Sequence, residues 1–256
     1  MESLRGKIVL ITGASSGIGK ATAYAFAARG AKLVLCARRL ELLDGEVDGL
    51  TSAGAEGVLN VQLDVQDRAA VEAALAGLPE EWKAIDVLVN NAGLSRGLTK
   101  IYEDDPQNWE EMIDTNVKGL LYMTRYVVPG MVERGAGQVI NLGSTAGHWT
   151  YANGGVYCAT KAAVNVITEG LKIDLIGTPV RVTSVDPGMV ETDFSKIRFR
   201  GDEERAAKVY AGLKPLEPSD VADAIVYAAS VPKHVNISNI LLMPTDQSNS
   251  TTFNRK

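Results

Sequence analysis

Seven short apolar runs rich in β-branched residues recur along the chain: KIVLIT (7–12), KLVLCA (32–37), VLNVQLD (58–64), IDVLVN (85–90), GQVINL (137–142), VRVTSVD (180–186) and NILLMP (239–244). Longer helical patterns separate them. Seven strands separated by helices predict a mainly parallel sheet with both faces covered. The expected architecture is α/β: one domain over residues 1–256, a doubly wound sheet of seven strands in three α/β/α layers. Glycine and polar residues cluster just after the strands, at Gly13, Asn90-Asn91-Ala92-Gly93, Gly143-Ser144 and Pro187-Gly188. In open α/β sheets the ligand crevice lies beyond those carboxyl ends, where the strand order reverses.

The longest helical pattern, from about Trp109 to Arg134, carries Met112, Ile113, Val117, Leu120, Leu121, Met123, Val127 and Val128. That stripe is too broad for one sheet contact, and part of it is expected to form a subunit interface. Asn116 sits within it, where an amide is costly unless hydrogen-bonded. From Gly188 to Pro218 the pattern breaks into charged and glycine-containing segments, too long for a simple connection and suited to a flap over a site.

Composition narrows the function. A chain of 256 residues with 26 Lys+Arg against 31 Asp+Glu has a net charge of −5 and no long basic run, which leaves nucleic acid without electrostatic support. No apolar stretch approaches the ~20 residues that span a bilayer, and the start lacks a basic-then-apolar signal, so the expected location is the cytoplasm. Two cysteines and two histidines leave metal chemistry and histidine-based nucleophiles few candidates, and no metal site is expected. Gly143-Ser144-Thr145-Ala146-Gly147 is no nucleophile elbow, because Leu142 stands where that turn needs glycine.

Three constellations carry chemistry. The first strand runs into Thr12-Gly13-Ala14-Ser15-Ser16-Gly17-Ile18-Gly19, after which a helix opens. Glycines there permit a tight turn and close approach to a pyrophosphate, and the helix N-terminus offers free N–H groups to the anion, the Rossmann-type dinucleotide arrangement. At the end of the second strand, where an NAD site would carry an acid, the chain reads Cys36-Ala37-Arg38-Arg39. Two guanidinium groups favour the 2′-phosphate of NADP, with Arg38 first, Arg39 second and Ser15 as a neutral helper. Asp64, ending the third strand, suits an adenine amino group. The third constellation joins Ser144 to Tyr157 and Lys161, an i, i+4 pair on one helical face.

TGASSGIG, NNAG at 90–93, Asn116, Ser144, YCATK at 157–161 and PG at 187–188 together resemble the classical short-chain dehydrogenase/reductase family over nearly the whole chain. The resemblance implies hydride transfer with a nicotinamide cofactor. It implies Tyr157 as proton exchanger, Lys161 as the charge that tunes it and holds the ribose, Ser144 as the group orienting the substrate oxygen, and Asn116 as holder of a water linked to Lys161. It also implies cofactor contacts from Val65, Asn91, Ala92, Gly93, Pro187, Gly188, Val190 and Thr192, and a homotetramer. Two charges about 4 Å apart interact by roughly 4 kcal/mol at an effective dielectric of 20, so Lys161 is expected to lower the Tyr157 pKa by up to about three units, with burial opposing.

GSTAG with YCATKAAV, and the C-terminal block from Val190 to Gln247, resemble the branch of NADP-dependent 3-hydroxy acid dehydrogenases. That likeness implies substrates such as serine, allo-threonine or 3-hydroxyisobutyrate and their 3-oxo or semialdehyde products. A small carboxylate needs a cation over the site. Arg198 and Arg200 in the flap are the expected donors, with Arg96 and His148 as further cations near the mouth. A general carbonyl or 3-oxoacyl-thioester reductase is the alternative enzyme, and a non-catalytic NADP-binding sensor the alternative of another class. A sensor has no use for a tuned phenol.

Overall fold

Each apolar run becomes a strand. In the computed structural model, which describes all 256 residues, chain order is β1 (Ile8–Thr12), α1 (Gly17–Ala27), β2 (Lys32–Ala37), α2 (Leu40–Asp44), α3 (Val47–Ser52), β3 (Gly57–Gln62), α4 (Arg68–Ala76) and β4 (Val87–Asn90). There follow α5 (Pro106–Ile113), a π-helical turn (Asp114–Gly119), α6 (Leu120–Arg134), β5 (Gly137–Leu142), α7 (Gly155–Asp174), β6 (Val180–Pro187), α8 (Phe194–Arg198), α9 (Glu203–Tyr210), α10 (Pro218–Ser230) and β7 (Asn239–Leu242).

The strands form one sheet in the order β3-β2-β1-β4-β5-β6-β7, and every pairing is parallel. The chain winds outward from β1 to β3, crosses back to β4 and winds outward again. β1 and β4 are therefore neighbours at the reversal, and the crevice opens between their carboxyl ends. Strand ends differ from expectation for local reasons. β4 starts at Val87, and just before it the Asp86 carboxylate accepts from the Ile8 N–H at 2.9 Å and from Lys7 Nζ at 2.9 Å. β3 stops at Gln62 because Asp64 Oδ1 accepts from the Gln66 N–H and turns the chain toward the crevice.

Alternate strand residues feed two cores, as a two-residue period requires. Val9, Ile11, Leu33 and Leu35 pack with Phe26 of α1 and Val221 and Ile225 of α10. Leu10, Val34, Leu88, Val139 and Val182 pack on the other face with Val71 of α4 and Met123, Val127 and Met131 of α6. Helix starts are supplied by nearby acids: Asp67 accepts from the Ala70 N–H, Asp105 from the Gln107 N–H ahead of Pro106, and Glu217 and Asp220 form a reciprocal box at α10.

The pattern from Trp109 to Arg134 is helical but not one helix. The extra residue in the π turn rotates everything downstream by about 100°, so the broad stripe is two apolar faces out of phase. Met112, Leu120, Met123, Val127, Val128 and Met131 are buried by it, while Ile113, Leu121 and Val132 stay exposed. No helix is long and apolar enough to cross a membrane.

Candidate active site

The loop after β1 is shaped by close contact. Gly13 has φ +65°, and a Cβ there would stand 3.0 Å from Ala92 Cα and from the Asn91 amide nitrogen. A side chain on Gly19 would meet the Gly13 carbonyl at 2.3 Å. Ser16 precedes α1 without capping it, which leaves first-turn N–H groups of α1 free for an anion. The Asn91 side chain works within the protein. Its Nδ2 donates to Thr12 O at 2.8 Å and Gly13 O at 3.1 Å, while Thr12 Oγ1 accepts from the Asn91 and Ala92 N–H groups. These bonds staple β4 to β1, so Asn91 lines the crevice mainly through its backbone.

One cleft gathers nearly every residue expected from the sequence. Gly13, Ser15, Ser16, Gly17, Ile18, Arg38, Arg39, Asp64, Val65, Asn91, Ala92, Gly93, Ser144, Tyr157, Lys161, Pro187, Gly188, Val190 and Thr192 all line it. The donor set fits an NADP-sized anion: neither the Arg38 nor the Arg39 guanidinium has a hydrogen bond or ion pair within the chain, beside a glycine loop that a Cβ would fill. Arg38 and Arg39 would hold a 2′-phosphate, and the α1 N-terminus the pyrophosphate.

Asn116 is 2% exposed and does not line the cleft. The π turn aims its amide at the NNAG loop: Oδ1 accepts from the Leu94 N–H at 2.8 Å, and Nδ2 donates to Leu94 O at 2.8 Å and Thr160 Oγ1 at 3.0 Å. Both amide hydrogens are used within the protein. Its side chain positions the loop against α7 and has no hydrogen left to donate to a water.

Lys161 is buried, and its Nζ donates to Leu142 O at 2.7 Å. Burial pulls its pKa down from 10.5 to about 8, opposed by the charge of Asp186. The Tyr157 hydroxyl is pushed well above its ordinary range by burial and by the neighbouring Tyr151, while the Arg198 guanidinium and the Ser144 hydroxyl pull it down. This corrects the expectation of a pKa lowered by Lys161. Desolvation outweighs the available charge, Lys161 is turned to the Leu142 carbonyl, and the cation acting on the phenol is Arg198.

Arg198 packs against the ring of Tyr157. Its guanidinium carbon sits 5.5 Å from the Tyr157 ring centroid, 5.1 Å from Phe194 and 5.9 Å from Tyr151, and Nη2 donates to Tyr151 Oη at 3.1 Å. Its Nε is buried and has no acceptor. The backbone around it is tied down, with Arg96 Nη1 donating to Ile197 O at 2.6 Å and the Gly97 N–H to Arg198 O at 2.9 Å.

The other expected cations are elsewhere. Arg200 (φ +51°) turns outward to Asn108 Oδ1 at 2.8 Å and Glu111, because a left-handed residue reverses the chain after α8. Arg96 is paired with Glu111 at 2.5 Å, and His148 with Asp186 at 2.5 Å. None of the three lines the cleft, and neither does Arg198, which packs behind the lining residues Phe194 and Ile197. Sequence reasoning missed Phe194 and Ile197, which line the cleft from α8, and Tyr151, which holds Arg198. An apolar Phe and Ile inside an otherwise charged flap were the available signal. Tyr151 had none.

Comparison with known proteins agrees with this geometry. Residues 7–203 match the short chain dehydrogenase family. The chain is 50% identical to an NADP-dependent 3-hydroxy acid dehydrogenase of Salmonella typhi, covering 94% of this chain and 96% of that one. It is 41% identical to an NADP-dependent 3-hydroxy acid dehydrogenase of Schizosaccharomyces pombe, over 100% and 99% of the two chains. Among solved structures it is similar to the closed form of a serine dehydrogenase complexed with NADP+, with a TM-score of 0.91, 47% identity and coverage of 97% of this chain and 99% of that one. With its crevice at the β1/β4 reversal and Ser144, Tyr157 and Lys161 gathered there, the chain belongs to the short-chain dehydrogenase family of oxidoreductases.

Proposed function

We propose that this protein is an NADP-dependent dehydrogenase that interconverts a short 3-hydroxy acid, of the serine, allo-threonine or 3-hydroxyisobutyrate type, with its 3-oxo acid or semialdehyde. The observation that carries the substrate class is Arg198: a guanidinium with no carboxylate partner in the chain lies 5.5 Å from the Tyr157 ring centroid, next to the cleft-lining Phe194 and Ile197. A substrate carboxylate drawn toward that charge would bring its 3-hydroxyl toward the Tyr157 side of the cleft. The similar dehydrogenases of Salmonella typhi and Schizosaccharomyces pombe support the same reading.

When bound, the nicotinamide accepts the hydride in oxidation and returns it in reduction. The chain does the rest. Tyr157 Oη takes the proton of the substrate hydroxyl as the carbonyl forms, and Ser144 Oγ, which already accepts from the Ala146 N–H at 3.1 Å, orients the same oxygen. Arg198 stabilises the phenolate by its charge and fixes the carboxylate. Lys161, which lines the cleft with its Nζ beside Gly93, would donate to the ribose. Phe194 and Ile197 line the cleft from α8 and give it an apolar wall.

We also propose a homotetramer built through the α5–α6 and α7 surfaces. Val166 and Ile173 are one heptad apart on α7, 68% and 62% exposed, and Ile176 beyond them is 80% exposed. Closed symmetric assembly is the usual way to bury such a face. Incubating the protein with NADP+ or NAD+ and a panel of 3-hydroxy acids, 3-hydroxyacyl thioesters and uncharged alcohols, and following reduced nicotinamide, tests the function. Turnover of the free acids with NADP+ is expected. Turnover confined to thioesters would overturn the substrate class and leave the oxidoreductase intact.

A further inference from the structure

Asp186, near the end of β6, is a carboxylate with 0% exposure in the layer directly beneath the reacting groups. Four elements converge on it. Ser184 of its own strand donates through Oγ, Asn239 of β7 donates through Nδ2 at 2.5 Å, and His148 Nε2 approaches at 2.5 Å from the turn that follows Ser144. The fourth is the backbone of Gly143, where a Cβ would stand 1.9 Å from Asp186 Oδ1. Gly143 is thus glycine because a buried carboxylate occupies the space of its side chain.

The same turn lies flat on α7. A Cβ on Gly147 would be 2.7 Å from the Lys161 carbonyl oxygen, and Lys161 Nζ donates to Leu142 O, one residue before Gly143. Ser144 and Lys161 are therefore both one short step from Asp186. We propose that Asp186 is a positioning residue for catalysis: through His148 it clamps the turn that aims Ser144, and through Gly143 it backs the strand end whose Leu142 carbonyl holds Lys161.

The titratable groups facing the carboxylate are His148 from the turn and Lys161 from α7, while β6 and β7 contribute only the neutral Ser184 and Asn239. A buried ammonium is disfavoured by desolvation, and Asp186 is the charge that opposes the fall of the Lys161 pKa. A carboxylate kept in a dry layer acts on its neighbours with little screening. The clamp and the charge are separable. His148 carries the mechanical link and Asp186 carries both.

That separation gives the test, which rests on the oxidoreductase activity and uses whichever substrate of the panel the native protein oxidises, so failure of the 3-hydroxy acid assignment leaves it intact. Wild type, Asp186→Asn and His148→Gln are compared for kcat and kcat/KM from pH 6 to 10, with folding checked by circular dichroism. Asp186→Asn is expected to cost about tenfold in kcat and to move the alkaline fall of kcat/KM, where Lys161 gives up its proton, about one unit lower. His148→Gln keeps the buried charge, so it should lower kcat several-fold and leave that limb in place. Should Asp186→Asn not fold, Asp186→Ser, which keeps a small acceptor, is read by the same limb. An alkaline limb at the wild-type position in the neutral variant, or wild-type kcat in His148→Gln, would overturn the proposal.

Discussion

Replacing Arg198 by methionine removes the cation while keeping most of the aliphatic stem, and two consequences separate cleanly. Loss of a charge-assisted contact to a substrate carboxylate costs about 1.5–3 kcal/mol, roughly ten- to a hundredfold, and falls mainly on KM if the contact is equally strong in ground and transition states. The second consequence is independent of substrate. Arg198 lowers the pKa of Tyr157 against the effect of burial, so its removal leaves burial less opposed, and the rise of kcat with pH moves to higher pH. The aromatic contacts with Tyr151, Tyr157 and Phe194 add about 0.5–1 kcal/mol each at most, and methionine retains part of that packing. The assay is oxidation of serine or 3-hydroxyisobutyrate beside an uncharged secondary alcohol of similar size, each across pH. Both substrates should share the pH displacement, and only the acid should lose binding. Equal losses in kcat/KM at every pH would show that Arg198 merely packs the flap and would refute its assignment to the carboxylate.

NADP should be preferred over NAD by at least about tenfold in kcat/KM, and Arg38→Asp should narrow or reverse that ratio; equal use of both cofactors by the wild type would contradict the role given to the unpaired guanidinium groups. Light scattering at micromolar concentration should report a tetramer, and Ile173→Glu, on the exposed α7 face, should reduce its size; a monomeric wild type would refute the interface. Lys161 has a folded-state pKa of about 8 against its ordinary 10.5, so the unfolded chain binds more protons between these values and stability rises with pH across that window. The gain over a Lys161→Met variant should reach about 3 kcal/mol by denaturant titration, and a flat difference from pH 8 to 10.5 would show that the ammonium is not desolvated.

The sheet and the cofactor end of the cleft could be read from the residues in order, because both depend on local chemistry. The five inner strands are buried along nearly their whole length and are rich in β-branched residues, while the edge strands β3 and β7 are partly exposed and were marked by aliphatic residues between turn signals. The glycines after β1 and the arginines after β2 announce themselves by being where a Cβ or an acid would otherwise stand. The π turn was not legible, since its apolar residues read as one wide stripe until the folded chain showed the change of phase at Asn116. Which flap arginine packs against the Tyr157 ring is decided only by folding: Arg198 and Arg200 differ in sequence by two positions, and a left-handed backbone at Arg200 sends that one to Glu111. The electrostatics follow the same rule. Burial sets the sign of the shifts at Tyr157 and Lys161 and gives Asp186 and His148 their place beneath them, and burial is a property of all the elements packed around a group, which no spacing along the chain encodes.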